Sequence, residues 1–378
     1  MRREPRIAII GCGKIADGHI EQIRAIGAGR VVAVCDREPL MAEQLADRMQ
    51  VPGRYTDVER LLADEKPDVV HIATPPDAHL ALGEMAMRAG CHVFMEKPFT
   101  PTAADAERLL ATARQLNRRI SVNYLYNFET PGLRLETLLD EGRLGDVVHL
   151  DTDYGYNLAG DYGIAVMSDP NHWVHRLPGK LFQNVLDHVL AKLVRHLSDD
   201  TQVQVLAFRR RPACGNVMVD AMPDELRVQM RSGAVTASIL VSAHGRPVPH
   251  SLRVVGTRDT VDLDYANRTI VHRARQSQPS AVGRLFPAWV QAKAFAGNGW
   301  RNLGDFRKAR FHYFEGMRVL LRRFYDAIEH GSSDPIPPEH ILRVCRLIDQ
   351  IVAGLREQAG PGAVPLTREA RAMTEETR

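Results

Sequence analysis

Long apolar runs are missing from this chain of 378 residues. No stretch reaches the roughly 18 consecutive apolar residues that a membrane-spanning helix needs, so no membrane partner is expected. Cysteine is scarce and scattered. Cys12, Cys35, Cys91, Cys214 and Cys345 form no Cys-x-x-Cys pair, which argues against a disulfide framework and a zinc cage alike. Charge of one sign is not in excess either: 49 Lys and Arg stand against 46 Asp and Glu, a formal net charge of +3. Non-specific nucleic-acid binding needs a sustained positive field, so no nucleic-acid partner is expected. The N-terminus, Met-Arg-Arg-Glu-Pro, passes straight into a strand pattern without the apolar stretch of a secretory leader, and the expected location is cytoplasmic.

What is present is an ordinary globular composition, 44% hydrophobic and 25% charged, with enough chain for two domains. Short apolar runs at 6–10, 31–35, 69–73, 92–95 and 120–123, with a short segment near Arg54-Tyr55, alternate with helical patterns at 19–26, 39–49, 58–63, 78–89 and 103–117. That rhythm predicts a doubly wound parallel sheet of α/β class over residues 1–123. Beyond residue 124 the stretches 146–154, 203–209, 224–230, 234–242, 251–256 and 260–264 read as a mostly antiparallel sheet. Helices are expected at 184–197, 313–329 and 339–357, within an α+β unit spanning 124–358. Residues 276–311 mix Pro, Gly and Trp and take no clear assignment. The polar tail 359–378 is expected to be flexible.

Gly11-Cys-Gly13-Lys14-Ile15-Ala16 follows the first strand and opens a helix, the context that turns a loose glycine pattern into a Rossmann fingerprint. Gly11 permits the tight turn, Gly13 leaves room for a pyrophosphate, and Ala16 lets the helix pack on the sheet with its N-terminus toward the phosphates. Lys14 and Ile15 complete the set of candidate contacts in this turn. Asp36 ends the second strand, where a carboxylate accepts from ribose hydroxyls and repels a 2′-phosphate, which favours NAD. Arg37 beside it suits a 2′-phosphate or an adenine face, so NADP stays open.

With Glu96-Lys97-Pro98 following Ala73-Thr74-Pro75-Pro76-Asp77-Ala78-His79, the sequence resembles the glucose-fructose oxidoreductase, inositol dehydrogenase and rhizopine-catabolism family, written Gfo/Idh/MocA. The likeness continues through Gly142-Arg-Leu-Gly145-Asp-Val and returns at Phe324-Tyr325-Asp326-Ala327-Ile328. It implies an open antiparallel sheet after the Rossmann domain, with a sugar, sugar nucleotide or cyclitol held between that sheet and the nicotinamide. It also implies that Lys97 contacts the reacting hydroxyl, that Pro98 is cis, and that Thr74, Pro75, Pro76, His79 and Glu96 lie near the cofactor. A homodimer or homotetramer built through the second domain is implied as well. Independently of the family, an ammonium at the C-terminal edge of a parallel sheet is placed to stabilise alkoxide character during hydride transfer. Without the neighbouring motif, Lys97 alone reads as a solvated lysine.

Family members carry Asp-x-x-x-His on a helix of the second domain. Here Asn184 stands for the aspartate and His188 matches the histidine. Positions i and i+4 share a helix face, so both can address one substrate. Histidine suits proton exchange, whereas an amide can only orient through hydrogen bonds. Asp187, adjacent to His188, is a further candidate substrate contact, although on an ideal helix it faces elsewhere and tunes the histidine. Tyr124, Tyr126 and Asn127 are candidate substrate contacts, in a stretch that lacks the arginine many relatives place near Asn127; packing explains aromatics there equally well. No metal site is expected, because nothing completes His172-x-x-His175. Arg209-Arg-Arg211 and the basic stretch 307–323 suit a phosphate or, more commonly, a solvated face. The 286–300 segment, with Trp289 and Phe295, reads as a cover for the site or a subunit interface. The leading expectation is an NAD(P)-dependent dehydrogenase or reductase acting on CH–OH groups. The alternatives are a non-catalytic NAD(P)-binding regulator and an enzyme that recycles tightly bound NAD.

Overall fold

Four near-continuous apolar runs at the start of the chain leave no polar face to present to water, so they bury both faces between helices. In the computed structural model, which describes residues 3–212, 220, 222–273, 281–308 and 311–358, they form part of a six-stranded parallel sheet. Its strands are β1 (Arg6–Ile10), β2 (Arg30–Cys35), β3 (Gly53–Tyr55), β4 (Val69–Ile72), β5 (His92–Met95) and β6 (Ile120–Val122), in the order β3-β2-β1-β4-β5-β6. The order reverses between β1 and β4, which is where ligands bind in open α/β sheets.

A seven-stranded sheet follows: β7 (Val147–Gly155), β8 (Gln202–Phe208), β9 (Glu225–Ser232), β10 (Val235–Ser242), β11 (His250–Gly256), β12 (Thr260–Asp264) and β13 (Thr269–His272), in the order β13-β12-β11-β7-β10-β9-β8. All pairings are antiparallel except β7 with β10. One face is packed: Leu226, Val228 and Met230 of β9 alternate with more exposed neighbours, the pattern of a half-covered sheet. The Lys180–Leu193 helix runs along this covered face and is buried over most of its length. It begins four residues before the expected start, because Gly179 and Lys180 already make the turn.

Three further elements escape a reading of periodicity. The Thr130–Asp140 helix hides behind Pro131 and Gly132 in its first turn, where proline is tolerated. The Asp161–Ser168 helix is short, and β13 is a four-residue edge strand. The unassigned interval 276–311 contains a helix, Ala281–Arg307, that carries Pro287 and four glycines. The tail 359–378 lies outside the described residues.

The chain finally returns to the first sheet. Phe324, on the Glu315–His330 helix, packs edge-on against Phe94 of β5, with ring centroids 5.5 Å apart, and the Tyr325 hydroxyl meets His71 of β4 at 2.8 Å. No described helix is long and apolar enough to cross a membrane.

Candidate active site

The first βα turn is shaped by two glycines with opposite constraints. Gly11 sits at φ +95°, and a Cβ there would lie 2.6 Å from the Ala73 carbonyl carbon and 2.8 Å from the Thr74 nitrogen, so only glycine lets β1 and β4 approach at this point. Gly13 has nothing within 4 Å of its would-be Cβ. Its open side, next to the N-terminus of the Lys14–Ile26 helix, is the cradle a pyrophosphate fits. Ala16 is fully buried against the sheet, while Lys14 is exposed and Ile15 partly so. Asp36 closes the turn: one carboxylate oxygen accepts from the Cys12 N–H at 2.8 Å and the other from the Glu38 N–H at 3.0 Å. Lone pairs remain for ribose hydroxyls. The Arg37 side chain is exposed, 4.0 Å from Glu38.

The loop after β4 supplies the opposite wall. Thr74 and Pro75 are partly buried and Pro76 is buried. The His79 ring bridges the Thr74 carbonyl at 2.8 Å and the Phe99 carbonyl at 3.0 Å, tying this loop to the one that carries Lys97. Glu96 is buried as an internal brace. It meets the His19 ring at 2.8 Å and the Asn123 amide at 2.7 Å, and His19 continues to His71 at 2.8 Å. Burial pushes the Glu96 pKa up, but the hydrogen bonds from His19 and Asn123 and the charge of Lys97 outweigh it, so the net shift is downward. The Lys97-Pro98 peptide is cis.

Lys97 follows β5 and reaches the Lys180–Leu193 helix. Its ammonium donates to the Asn184 side-chain oxygen at 3.0 Å and to the Asn184 carbonyl at 3.1 Å. Asn184 in turn donates to the Tyr162 hydroxyl at 3.3 Å. Asn184 thus grips the lysine. Burial pulls the Lys97 pKa below the usual lysine range, while Glu96 and Asp187 resist the shift.

Asp187 does not point elsewhere. It lies at i+3 from Asn184 and so shares that face; it is fully buried, and neither carboxylate oxygen has a hydrogen-bond partner. Burial pushes its pKa from 3.8 up to about 7, against the pull of Lys97 and of the nearby Tyr124 hydroxyl, which stays outside hydrogen-bond geometry. His188 is held well below its ordinary value by burial, then by the charges of Lys97 and Lys192, and its Nδ1 is unpartnered.

Aromatic rings wall the histidine in. Tyr126 stands edge-on to it at 4.9 Å between centroids, and Tyr154 is stacked at 5.8 Å. Tyr126 also meets His250 at 4.3 Å, and Lys192 lies over Tyr265 at 4.8 Å. Asn127 is turned toward the helix, donating to the Ala191 carbonyl at 2.8 Å, so it anchors the 125–128 turn. Tyr154, Tyr162, His250 and Tyr265 come from distant segments and carry no sequence signal. Lys192, at i+4 from His188, was within reach of helical periodicity. A cavity of about 540 Å³ lies beyond, lined by Asn127, Lys192, Arg195 and Tyr265, but not by Lys97, Asn184 or His188.

The other candidate sites are engaged internally. The His172 ring accepts from the Val174 N–H at 3.3 Å, and His175 contacts the Val166 carbonyl at 2.8 Å. Among the described residues, no group of three or more His, Cys, Asp or Glu is placed to hold a metal. Arg209 and Arg211 pair with Asp220 and Asp224, each at 3.0 Å.

A glycine turn at the switch point of a parallel sheet, closed by an acidic residue after β2, defines a dinucleotide-binding protein. Residues 5–124 match the family model described as oxidoreductase family, NAD-binding Rossmann fold, so over this stretch the chain is similar to the Gfo/Idh/MocA proteins. D-glucoside 3-dehydrogenase of Escherichia coli K12 is 33% identical over 143 residues, 38% of this chain and 41% of that protein. The match therefore spans about two fifths of such a relative's length. Solved structures share the whole fold. The WlbA dehydrogenase from Bordetella pertussis, in complex with NADH and UDP-GlcNAcA, superposes with a TM-score of 0.74 at 17% identity, over 94% of this chain and 97% of that one. Levoglucosan dehydrogenase, in complex with NADH and levoglucosan, gives a TM-score of 0.74 at 18% identity, over 94% and 98%.

Proposed function

We propose that this protein is an NAD-dependent oxidoreductase acting on a secondary alcohol or ketone of a sugar, sugar nucleotide or cyclitol. In this reading residues 1–123 bind the dinucleotide, and 124–358 hold the substrate and the partner subunit of a cytoplasmic homodimer or homotetramer. The observation that carries it is the Lys97–Asn184 contact. An ammonium has three N–H donors, and Asn184 accepts two, leaving one for a substrate oxygen. The buried polar atoms nearby that lack partners, on Thr74, Tyr124, Asp187 and His188, suit a hydroxyl-rich ligand. The dehydrogenases this chain resembles act on such molecules by name.

Gly11, Gly13 and Ala16 would hold the pyrophosphate and Asp36 the adenosine ribose of a dinucleotide, which would supply the hydride acceptor or donor. The chain's own residues manage the oxygen and its proton. Lys97 holds the oxygen and stabilises negative charge on it. His188, kept neutral, accepts the hydroxyl proton. The charges of Lys97 and Lys192 disfavour its protonated form, so the proton is held only transiently. Asn184 fixes the lysine. Reduced-nicotinamide absorbance, followed over a panel of sugars, cyclitols and sugar nucleotides, tests the proposal; no substrate in any class would overturn it.

Asp36→Ala is expected to raise the ratio of NADP to NAD kcat/KM by roughly 10-fold or more, because the repulsion of a 2′-phosphate is gone. Asp36→Asn, which still accepts a backbone N–H, separates this from damage to the turn. Unchanged selectivity in both variants would remove Asp36 from cofactor choice.

Asp187 gives a stability test with a definite sign. Between about pH 4 and pH 7 the folded protein keeps a proton that the unfolded chain has released, so stability falls as pH rises through that window. Asp187→Asn removes the burden. The variant is expected to be more stable than its parent by roughly 1–3 kcal/mol above pH 7, with the difference fading toward pH 4, as read from urea melts across pH. A variant that is less stable at pH 8 would show that the carboxylate is ionised and favourably paired.

A further inference from the structure

The Ala281–Arg307 helix inverts the usual arrangement of a helix packed on a domain, in which the apolar stripe faces inward. Its inward residues are polar. Asn298, only 2% exposed, donates to the Ile270 carbonyl at 2.9 Å and accepts from Arg134 at 3.1 Å. Asn302 donates to the Asn267 carbonyl at 3.0 Å, and Asp305 lies 3.6 Å from Arg268.

The large apolar side chains point to water. Trp289 is 71% exposed, Trp300 72% and Phe306 69%, and Phe286, Val290 and Leu303 are exposed with them. At 3.6 residues per turn, Phe286, Trp289, Trp300 and Leu303 fall within an arc of about 100° opposite Asn298 and Asp305. At 150–250 Å² per aromatic side chain, the four on this arc leave on the order of 400 Å² of apolar surface in water, the size of the largest patch on a typical monomer, which is often a functional one.

Charge selects the occupant. Residues 281–310 carry six basic side chains, Arg284, Lys293, Arg301, Arg307, Lys308 and Arg310, against one acid, Asp305. Of the chain's 49 basic and 46 acidic residues, that leaves 43 basic and 45 acidic elsewhere, so the positive charge is concentrated on this segment. Pairing it with its own copy would oppose two basic helices. We propose that this helix docks the protein on an anionic phospholipid surface, lying in the membrane plane with its aromatic side among the headgroups and its basic side chains on lipid phosphates. The expectation of no membrane partner came from the missing apolar run, and a helix that lies on a surface needs no such run.

The test uses the full chain with vesicles of phosphatidylcholine alone or mixed with phosphatidylglycerol. Co-sedimentation with the mixed vesicles is expected, reversed by high salt, together with a blue shift of tryptophan emission, since two of the three tryptophans, Trp289 and Trp300, lie on this face. Trp289→Ser/Trp300→Ser and Lys293→Glu/Arg307→Glu should each weaken binding roughly tenfold or more, with unchanged thermal melting showing that they fold. No binding to the mixed vesicles, or equal binding to phosphatidylcholine alone, would overturn the proposal. So would a dimer in vesicle-free sedimentation that the tryptophan variant dissociates, because the face would then belong to a second copy.

Discussion

Lys97→Ala is expected to abolish turnover while the protein still folds and binds its dinucleotide. The ammonium follows β5 and donates to Asn184, so the glycines and Asp36 proposed to hold the cofactor are not its hydrogen-bond partners. What is lost is the donor proposed to address the reacting oxygen. Removing one such donor costs about 10²–10³ in rate, which is the expected fall in kcat. Lys97→Arg should not restore it, because a planar guanidinium cannot reproduce a compact ammonium held by two acceptors on one residue. The readouts are reduced-nicotinamide absorbance under saturating substrate and, separately, cofactor binding by calorimetry. Turnover that survives in Lys97→Ala would remove this residue from the mechanism, and the Asn184 contact would then be structural.

Gly11→Ala and Gly13→Ala should fail in different ways, although they differ by only two positions. At Gly11 the new methyl meets the Ala73 backbone at 2.6 Å from a left-handed conformation, so the cost falls on the fold itself. A stability loss of about 2–4 kcal/mol is expected, with cofactor binding lost alongside it. At Gly13 the methyl enters open space from an ordinary extended backbone, so the melting transition should stay where it is. Dinucleotide affinity should nonetheless fall by roughly 100-fold, because that space is the proposed seat of the pyrophosphate. Calorimetry for binding and thermal melts for stability separate the two. Unimpaired NAD binding by Gly13→Ala would place the phosphates elsewhere.

The chemistry of the cleft depends on burial more than on residue identity. An asparagine where the family resemblance implies an aspartate looks, in sequence, like a loss of acid–base capacity. In the structure a carboxyl stands one turn away, at Asp187, with its pKa pushed to about 7 by the same burial that keeps His188 neutral. Asn184, free of charge, can hold Lys97 without competing for its proton.

Much of this protein was determined by local sequence. The parallel sheet follows from apolar runs too continuous to leave a wet face, as in Ile7–Ile10 and Val31–Cys35, and the fingerprint turn follows from Gly11 and Gly13 between a strand and a helix. These features depend on neighbours a few residues apart, which a linear pattern records. The Thr130–Asp140 and Ala281–Arg307 helices were not legible, because Pro131 and Pro287 interrupt the pattern that reveals a helix. The site's electrostatics were not legible either. Lys97 meets Asn184 across 87 positions, and Tyr154 and His250 reach His188 from separate strands. A pKa near 7 on Asp187 is a property of the low-dielectric pocket those elements close together, and the outward turn of Trp289 and Trp300 is set by the polar anchors at Asn298 and Asn302. Only the folded chain brings those groups into contact, so the tertiary structure decided what the fingerprint left open: that Lys97 meets Asn184, and that Trp289 and Trp300 face water.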